Sequence, residues 1–205
     1  MTRFDCRQEL TLMSSGVPHL CRKPPMYVTR HSHVVDRSLI DGLWLLYERA
    51  YVRTAEATVT HEMLDRIEFA DQLADHANRV WVLWADERPI GMALISTDVN
   101  RTRWLSERYF QTHYPERFAA GQVHYVVWVT IDPAYVASGA IGALATQALA
   151  VEAADGALLV FDVPDVNQPG DEGGAAELMI RLARSVSQAE LIPLGTQRYF
   201  AVDFP

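Results

Sequence analysis

Lysine is all but missing from this chain: of its 18 basic residues only Lys23 is a lysine. Schiff-base chemistry and a P-loop lysine are therefore excluded from everything beyond residue 25. Cysteine is scarce too, with Cys6 and Cys21 both near the N-terminus, so no cysteine-based zinc site can form in the body. The two read as free thiols in a cytosolic chain, or as one disulfide. Positive charge is outnumbered by 26 acidic residues, for a net charge of −8, which argues against a nucleic-acid binder. No apolar run approaches the ~20 residues of a membrane span. Arg7, Glu9, Arg22 and Lys23 also break up any secretory signal before residue 26, so the expectation is a cytoplasmic protein without a membrane partner. There is no Gly-x-Ser-x-Gly elbow, and Ser138 is thus not a hydrolase nucleophile.

What is present is ordinary globular material, 49% hydrophobic and 21% charged over 205 residues. A chain of that size buries roughly 70% of its unfolded surface in a single domain. Residues 1–25 show no clean period and end in Lys23-Pro24-Pro25, which cannot continue a helix. They read as an arm, with residues 26–205 as the folded domain. Residues 27–35 read as a strand, followed by a helix capped by Asp36 or Ser38 with Leu39, Ile40, Leu43, Trp44, Leu46, Tyr47 and Tyr51 at helical spacing. A second helix is expected from a Thr60 cap, ending near Asn78. Residues 79–84 and 90–97 form a hairpin around a turn at 86–89. The aromatic stretch 99–121 is too long for a bare connection and calls for a short helix. Residues 122–132 are a strand, nearly all apolar in the middle as befits cover on both faces. A small-residue helix at 137–154 and a buried strand at 157–163 make a right-handed parallel crossover. A helix at about 175–186 and closing strands near Leu191 and at 197–203 complete the order β-α-α-β-β-insert-β-α-β-α-β-β.

One segment carries chemistry. Val129-Thr130-Ile131-Asp132-Pro133-Ala134-Tyr135 ends the central strand, and Val136-Ala137-Ser138-Gly139-Ala140-Ile141-Gly142-Ala143-Leu144 opens the helix. A loop entering a helix offers unpaired N–H groups and the positive end of the helix dipole, which suits a pyrophosphate. Small side chains let the anion come close. This phrase and the element order resemble the GNAT superfamily of acyl-CoA-dependent N-acyltransferases. There a (Gln/Arg)-x-x-Gly-x-(Gly/Ala) loop follows a Val-x-Pro-x-Tyr-like strand end. Ala137 stands at the Gln/Arg position, Ala140 at the first glycine and Gly142 at the second. The motif spans about residues 129–144, while the element order covers about 27–203. No Arg or Lys lies between Pro133 and Leu158, so phosphate binding would fall to amides or to arginines elsewhere.

The resemblance implies an α/β (α+β) fold with a mixed, mostly antiparallel sheet, in which a parallel pair of strands splays to admit the pantetheine arm. Acetyl-CoA or another acyl-CoA would be co-substrate, and an amine on a small molecule or protein the acceptor. Ser138, Gly139, Ala140, Ile141, Gly142 and Ala143 would hold the pyrophosphate. Backbone groups of Val129 and Ile131 would line the pantetheine, with Asn167 on its far side or simply a turn residue. His124, at the start of the central strand, would be the general base, because family members often place one on this strand. Strand alternation puts it on the face of Val126 and Trp128, with Tyr125 opposite. The family's acid, a Tyr on the helix after the fifth strand, has no counterpart in 175–183, so Tyr199 or Tyr135 would substitute. Loss of that Tyr and of the Gln/Arg leaves a second reading, a non-catalytic domain binding acyl-CoA or a protein partner. His31 and His33 make at most half a metal site, and no metal is expected. Asp162 and Asp165 read as turn caps. The insert at 104–118 can wall an acceptor pocket, cover the sheet edge or form a homodimer contact.

Overall fold

The computed structural model describes residues 25–59, 63–164, 167 and 174–203. The arm up to Pro24 with its two cysteines, Thr60 and Asp165 lie outside the described residues. Five strands form one sheet in the order β1-β2-β3-β4-β5: β1 Met26–His31, β2 Asn78–Ala85, β3 Arg88–Ser96, β4 Val123–Ile131 and β5 Leu158–Val160. The first four pair antiparallel, and β5 runs parallel to β4. The hairpin turn is tighter than the sequence suggests. Asp86 and Glu87 both take positive φ (48° and 61°), as a two-residue hairpin turn of matching twist requires. Pro89 then enters β3 opposite Trp84, beside a bulge, a position at which strands admit proline.

Helices α1 (Arg37–Ala57) and α2 (Arg66–Ala74) cover one face of the sheet. Leu43, Leu46, Tyr47, Phe69 and Leu73 pack there on Val80, Val82, Met92, Leu94 and Trp128. Asp36 caps α1, its carboxylate accepting from the Leu39 amide at 2.9 Å. The second helix starts six residues later than Thr60 because Asp65 and Glu68 form a reciprocal capping box. The helix also ends earlier than expected, at Ala74 with Asp75 as its C-cap; Asn78 instead opens β2 and donates from Nδ2 back to the Gln72 carbonyl at 2.9 Å.

Helix α5 (Ala140–Ala154) covers the other face, where Ala140, Leu144 and Ala148 sit on Trp81, Leu83, Ile90, Ala93, Ile95 and Val126. Its alanines let helix and sheet approach closely, and α6 (Gly174–Arg184) packs against it. The insert folds into α3 (Glu107–His113) and α4 (Pro115–Ala119). Phe110 from α3 is buried with Val99, Val123, Tyr125 and Val160.

Two expectations need correction. The closing strands do not form: residues 188–203 carry no strand among the described residues. β5 is only three residues long and offers almost no ladder for a sixth strand to extend, and β propensity without a partner does not make a strand. Phe200 and Val202 accordingly remain 89% and 77% exposed. The alternation along β4 also fails. Val126 faces α5 whereas Trp128 faces α1 and α2. The register jumps there, since Leu94 pairs with Trp128 and Ile95 with Val126, leaving Val127 as an extra residue that shifts the facing pattern.

Candidate active site

β4 is the spine of the site. It pairs with β5 only through Val123–Leu158, His124–Leu159 and Tyr125–Val160. Beyond Tyr125 it continues to Ile131 on β3 alone. The strands thus fork at their C-terminal ends, and the bulge at Val127 sits at the start of the fork. Peptide groups of residues 126–131 that would have bonded β5 face the opening instead. Val129 and Ile131 keep their side chains in the α5-facing core, so their backbone is what they can present to a ligand.

At the open end the chain makes a 3-10 turn, Pro133–Ser138, before α5. Asp132 fixes its start, accepting from the Ala134 amide at 3.0 Å while Arg49 binds the same carboxylate at 3.2 Å. Ser138 closes it by donating to the Tyr135 carbonyl at 2.6 Å. Tyr135 itself packs into the α5-facing core. Gly139 then takes a left-handed conformation (φ 86°), which a Cβ would strain. The helical ladder of α5 begins with the bond from the Ala143 amide to the Gly139 carbonyl at 3.1 Å. The amides of Ala140, Ile141 and Gly142 therefore belong to the unpaired first turn. A Cβ at Gly139 would meet nothing within 4 Å, so the approach to these amides is open. The residues present fit an anion of pyrophosphate size.

A groove of about 2030 Å³ passes through the fork. Tyr51, Trp104, Tyr109 and Tyr125 line it on the α1 and insert side, and Leu149, Met179 and Ile180 on the α5 and α6 side. Tyr199, half exposed, lines it from the C-terminal segment. Asn167 is exposed, its amide on the Pro164 carbonyl at 2.8 Å, and it does not line the groove.

His124 lies elsewhere. It is 4% exposed at the paired end of β4 and does not line the groove. Nδ1 bonds the Glu152 carboxylate and Nε2 lies 3.2 Å from the Gly121 carbonyl. Both ring nitrogens thus face groups of the protein itself, and neither is turned toward the groove. Glu152 also takes Arg79 at 2.7 Å, and Arg79 reaches Asp155 at 2.5 Å. Burial opposes the Arg79 charge, but Glu152 and Asp155 outweigh it and raise its pKa.

The pair that sequence reasoning missed is Tyr125 and Asp162. The Tyr125 hydroxyl donates to Asp162 Oδ1 at 2.6 Å, directly at the crotch of the fork. Burial first, then this bond, pushes the Tyr125 phenol above its ordinary range. Tyr51 is raised as well, by burial, then by Tyr47 and Asp162. Only the register, with Tyr125 level with Val160, could have joined them. His31 Nε2 sits 2.9 Å from Thr29 Oγ1 and His33 lies against His76 with the rings tilted 49°, with no group of three metal-ligand side chains among the described residues.

No family model matches the chain, and no curated protein matches it. Solved structures do. The aminoglycoside N-acetyltransferase AAC(6')-Iy in complex with CoA superposes with a TM-score of 0.51 at 11% identity, over 89% of this chain and 99% of that one. Aminoglycoside acetyltransferase meta-AAC0020, from an uncultured soil metagenomic sample, gives 0.50 at 13% identity, over 87% and 97%. The fold is the GNAT fold. Within the GNAT fold the forked β4–β5 pair and the α5 N-terminus are the features already described, and these identities carry the fold alone.

Proposed function

We propose that this protein transfers an acyl group, acetyl in the first instance, from CoA to an amine on a small molecule or a protein. The observation that carries the reading is the fork: it opens β4 to the groove at Tyr125, Val127 and Trp128, while Val129, Ile131 and the free amides of α5 lie beyond the groove wall, past the strand's open end. The pyrophosphate sits on the amides of Ala140, Ile141 and Gly142, beside Ser138 and Gly139, and helix dipole and N–H groups supply the attraction that no Arg or Lys of that loop provides. The pantetheine arm lies against Val129 and Ile131, which orients the thioester toward the aromatic side of the groove. Acetyl-CoA supplies the activated acyl carbon. Tyr199, which lines the groove, supplies the hydroxyl that protonates the leaving sulfur in this reading. That solved neighbours of this fold were crystallised with CoA and with a CoA bisubstrate analogue supports the cofactor.

A second reading, a non-catalytic domain that binds acyl-CoA or a protein partner, is favoured by the sequestered His124. One experiment addresses both. A thermal-shift titration with a panel of acyl-CoAs should stabilise the protein by about 2.7 kcal/mol at a hundredfold excess over Kd. Stabilisation with turnover of an amine panel supports the enzyme, stabilisation without turnover supports an acyl-CoA-binding domain, and no stabilisation sinks both of these and leaves only binding of a protein partner.

A further inference from the structure

The groove carries five charged side chains among its described walls: Arg103, Glu152, Asp162, Glu190 and Arg198. Glu152 is committed to Arg79 and His124. Arg103 leans on Glu68 at 3.5 Å and over the Trp104 ring at 5.3 Å. Glu190 and Arg198 belong to the exposed C-terminal segment. Asp162 differs from all of these. It stands where β4 and β5 part, two residues beyond the last parallel pair, and a phenol that is itself 5% exposed bonds it. Its own residue is exposed toward the groove, so a carboxylate held from behind still meets solvent in front.

The surroundings select for a cation. Tyr51, Trp104, Tyr109 and Tyr125 bring aromatic rings to the same side of the groove, with the Trp104 and Tyr125 centroids 6.0 Å apart. Aromatic faces and one carboxylate together favour an ammonium carried on an apolar body. Resting on the acyltransferase reading above, we propose that Asp162, oriented by the Tyr125 hydroxyl, receives the ammonium of the acceptor and takes the proton released during acyl transfer. The docked ammonium gives one proton to solvent, freeing its lone pair. The nitrogen then attacks the thioester carbonyl carbon, the C–N bond forms, and the C–S bond breaks with its electron pair leaving on sulfur. The proton that the nitrogen sheds passes to Asp162 and from there to water. Tyr125 is a positioning residue: its raised phenol remains protonated and keeps donating, which holds the carboxylate in one orientation.

The test is a fluorescence titration of the full chain with 2-phenylethylamine, against uncharged 2-phenylethanol as control. Wild type should prefer the amine at least tenfold. Asp162→Asn should abolish the preference, Asp162→Glu should restore part of it, and Tyr125→Phe should weaken it severalfold. Equal binding of amine and alcohol by wild type, or a preference surviving in Asp162→Asn, overturns the proposal. With the amine that wild type acylates fastest, Asp162→Asn should lower kcat about 10²-fold, while calorimetry shows unchanged CoA affinity. An intact kcat also overturns it. A wild type that binds no acyl-CoA refutes the acyltransferase reading itself, and the titration still decides whether Asp162 is an ammonium site.

Discussion

Replacing Glu152 by Ala should destabilise the protein strongly, because this carboxylate is the hub of a buried charge network. It is 3% exposed and answers both His124, 4% exposed, and Arg79 at 2.7 Å. Glu152 and Asp155 also lie at the C-terminal end of α5, where the dipole is negative, and Arg79 ion-pairs with both. Removing one partner of a buried pair costs about 3–5 kcal/mol, since the remaining charge or donor stays desolvated and unpaired. The lower end applies here: the Arg79 side chain is 23% exposed and keeps Asp155 at 2.5 Å.

A loss of about 3 kcal/mol translates, at ~2–4 °C per kcal/mol for a chain of this size, into a fall in Tm of roughly 6–12 °C. Circular dichroism melts at neutral pH would measure it, with urea titration as a second estimate. His124→Ala should lose stability by a similar mechanism, leaving the Glu152 carboxylate with Arg79 alone. A fall below about 2 °C in Glu152→Ala would refute the reasoning, because it would mean that water replaces the lost carboxylate without cost.

Alkaline pH should also destabilise the fold. Tyr47, Tyr51 and Tyr125 are all raised above their ordinary value of 10.0, burial being the first cause in each. Above pH 10 the unfolded chain releases protons that the folded state keeps, so stability should fall by up to ~1.4 kcal/mol per pH unit per tyrosine; urea denaturation that is flat between pH 9 and 11 would contradict this. Gly142→Glu should weaken CoA binding more than tenfold, or ~1.4 kcal/mol, by placing a carboxylate among the α5 amides; calorimetry on the folded variant reads it. Asp65→Ala should cost about 1 kcal/mol by removing the capping box of α2, a shift that thermal melts would show without change in CoA affinity.

Much of this architecture was written in local pattern. The apolar middle of β4, the alternating hairpin and the small residues of 137–154 each pointed to an element that formed, because burial on both faces, period and steric need are properties of neighbours in sequence. Long-range facts were not legible. The Val127 bulge is a relation between β4 and β3, and it moved Trp128 to the opposite face from Val126. His124 finds Glu152 28 residues away, and Tyr125 finds Asp162 37 residues away. Of these four side chains the sequence singles out only His124 for chemistry; Asp162 reads as a turn cap and Glu152 carries no signal, because their partners depend on register. The C-terminal segment failed for the same reason, since its strand-like residues need an edge that β5 does not extend far enough to supply.

The network at the closed end of the fork bears on binding at its open end. α5 is tied to β2 and β4 through Glu152 and Asp155, near its C-terminus, while its ligand-facing amides lie at Ala140–Gly142. Over the twelve residues between Glu152 and Ala140 the axis runs roughly 18 Å, at a rise of ~1.5 Å per residue. A swing of about 5° at the anchored end therefore moves the amides by ~1.6 Å, which carries an N–H···O contact from ~2.9 Å out of hydrogen-bonding range. The core contacts of Ala140, Leu144 and Ala148 resist such a swing, but only Leu144 has a side chain large enough to interlock. Glu152→Ala should accordingly weaken CoA severalfold even at temperatures where the variant is fully folded, although Glu152 does not touch the phosphate loop. Calorimetry at 10 °C on the folded variant is the measurement. If its CoA affinity equals that of wild type, the packing of α5 alone aims its amides, and the buried charges serve stability only.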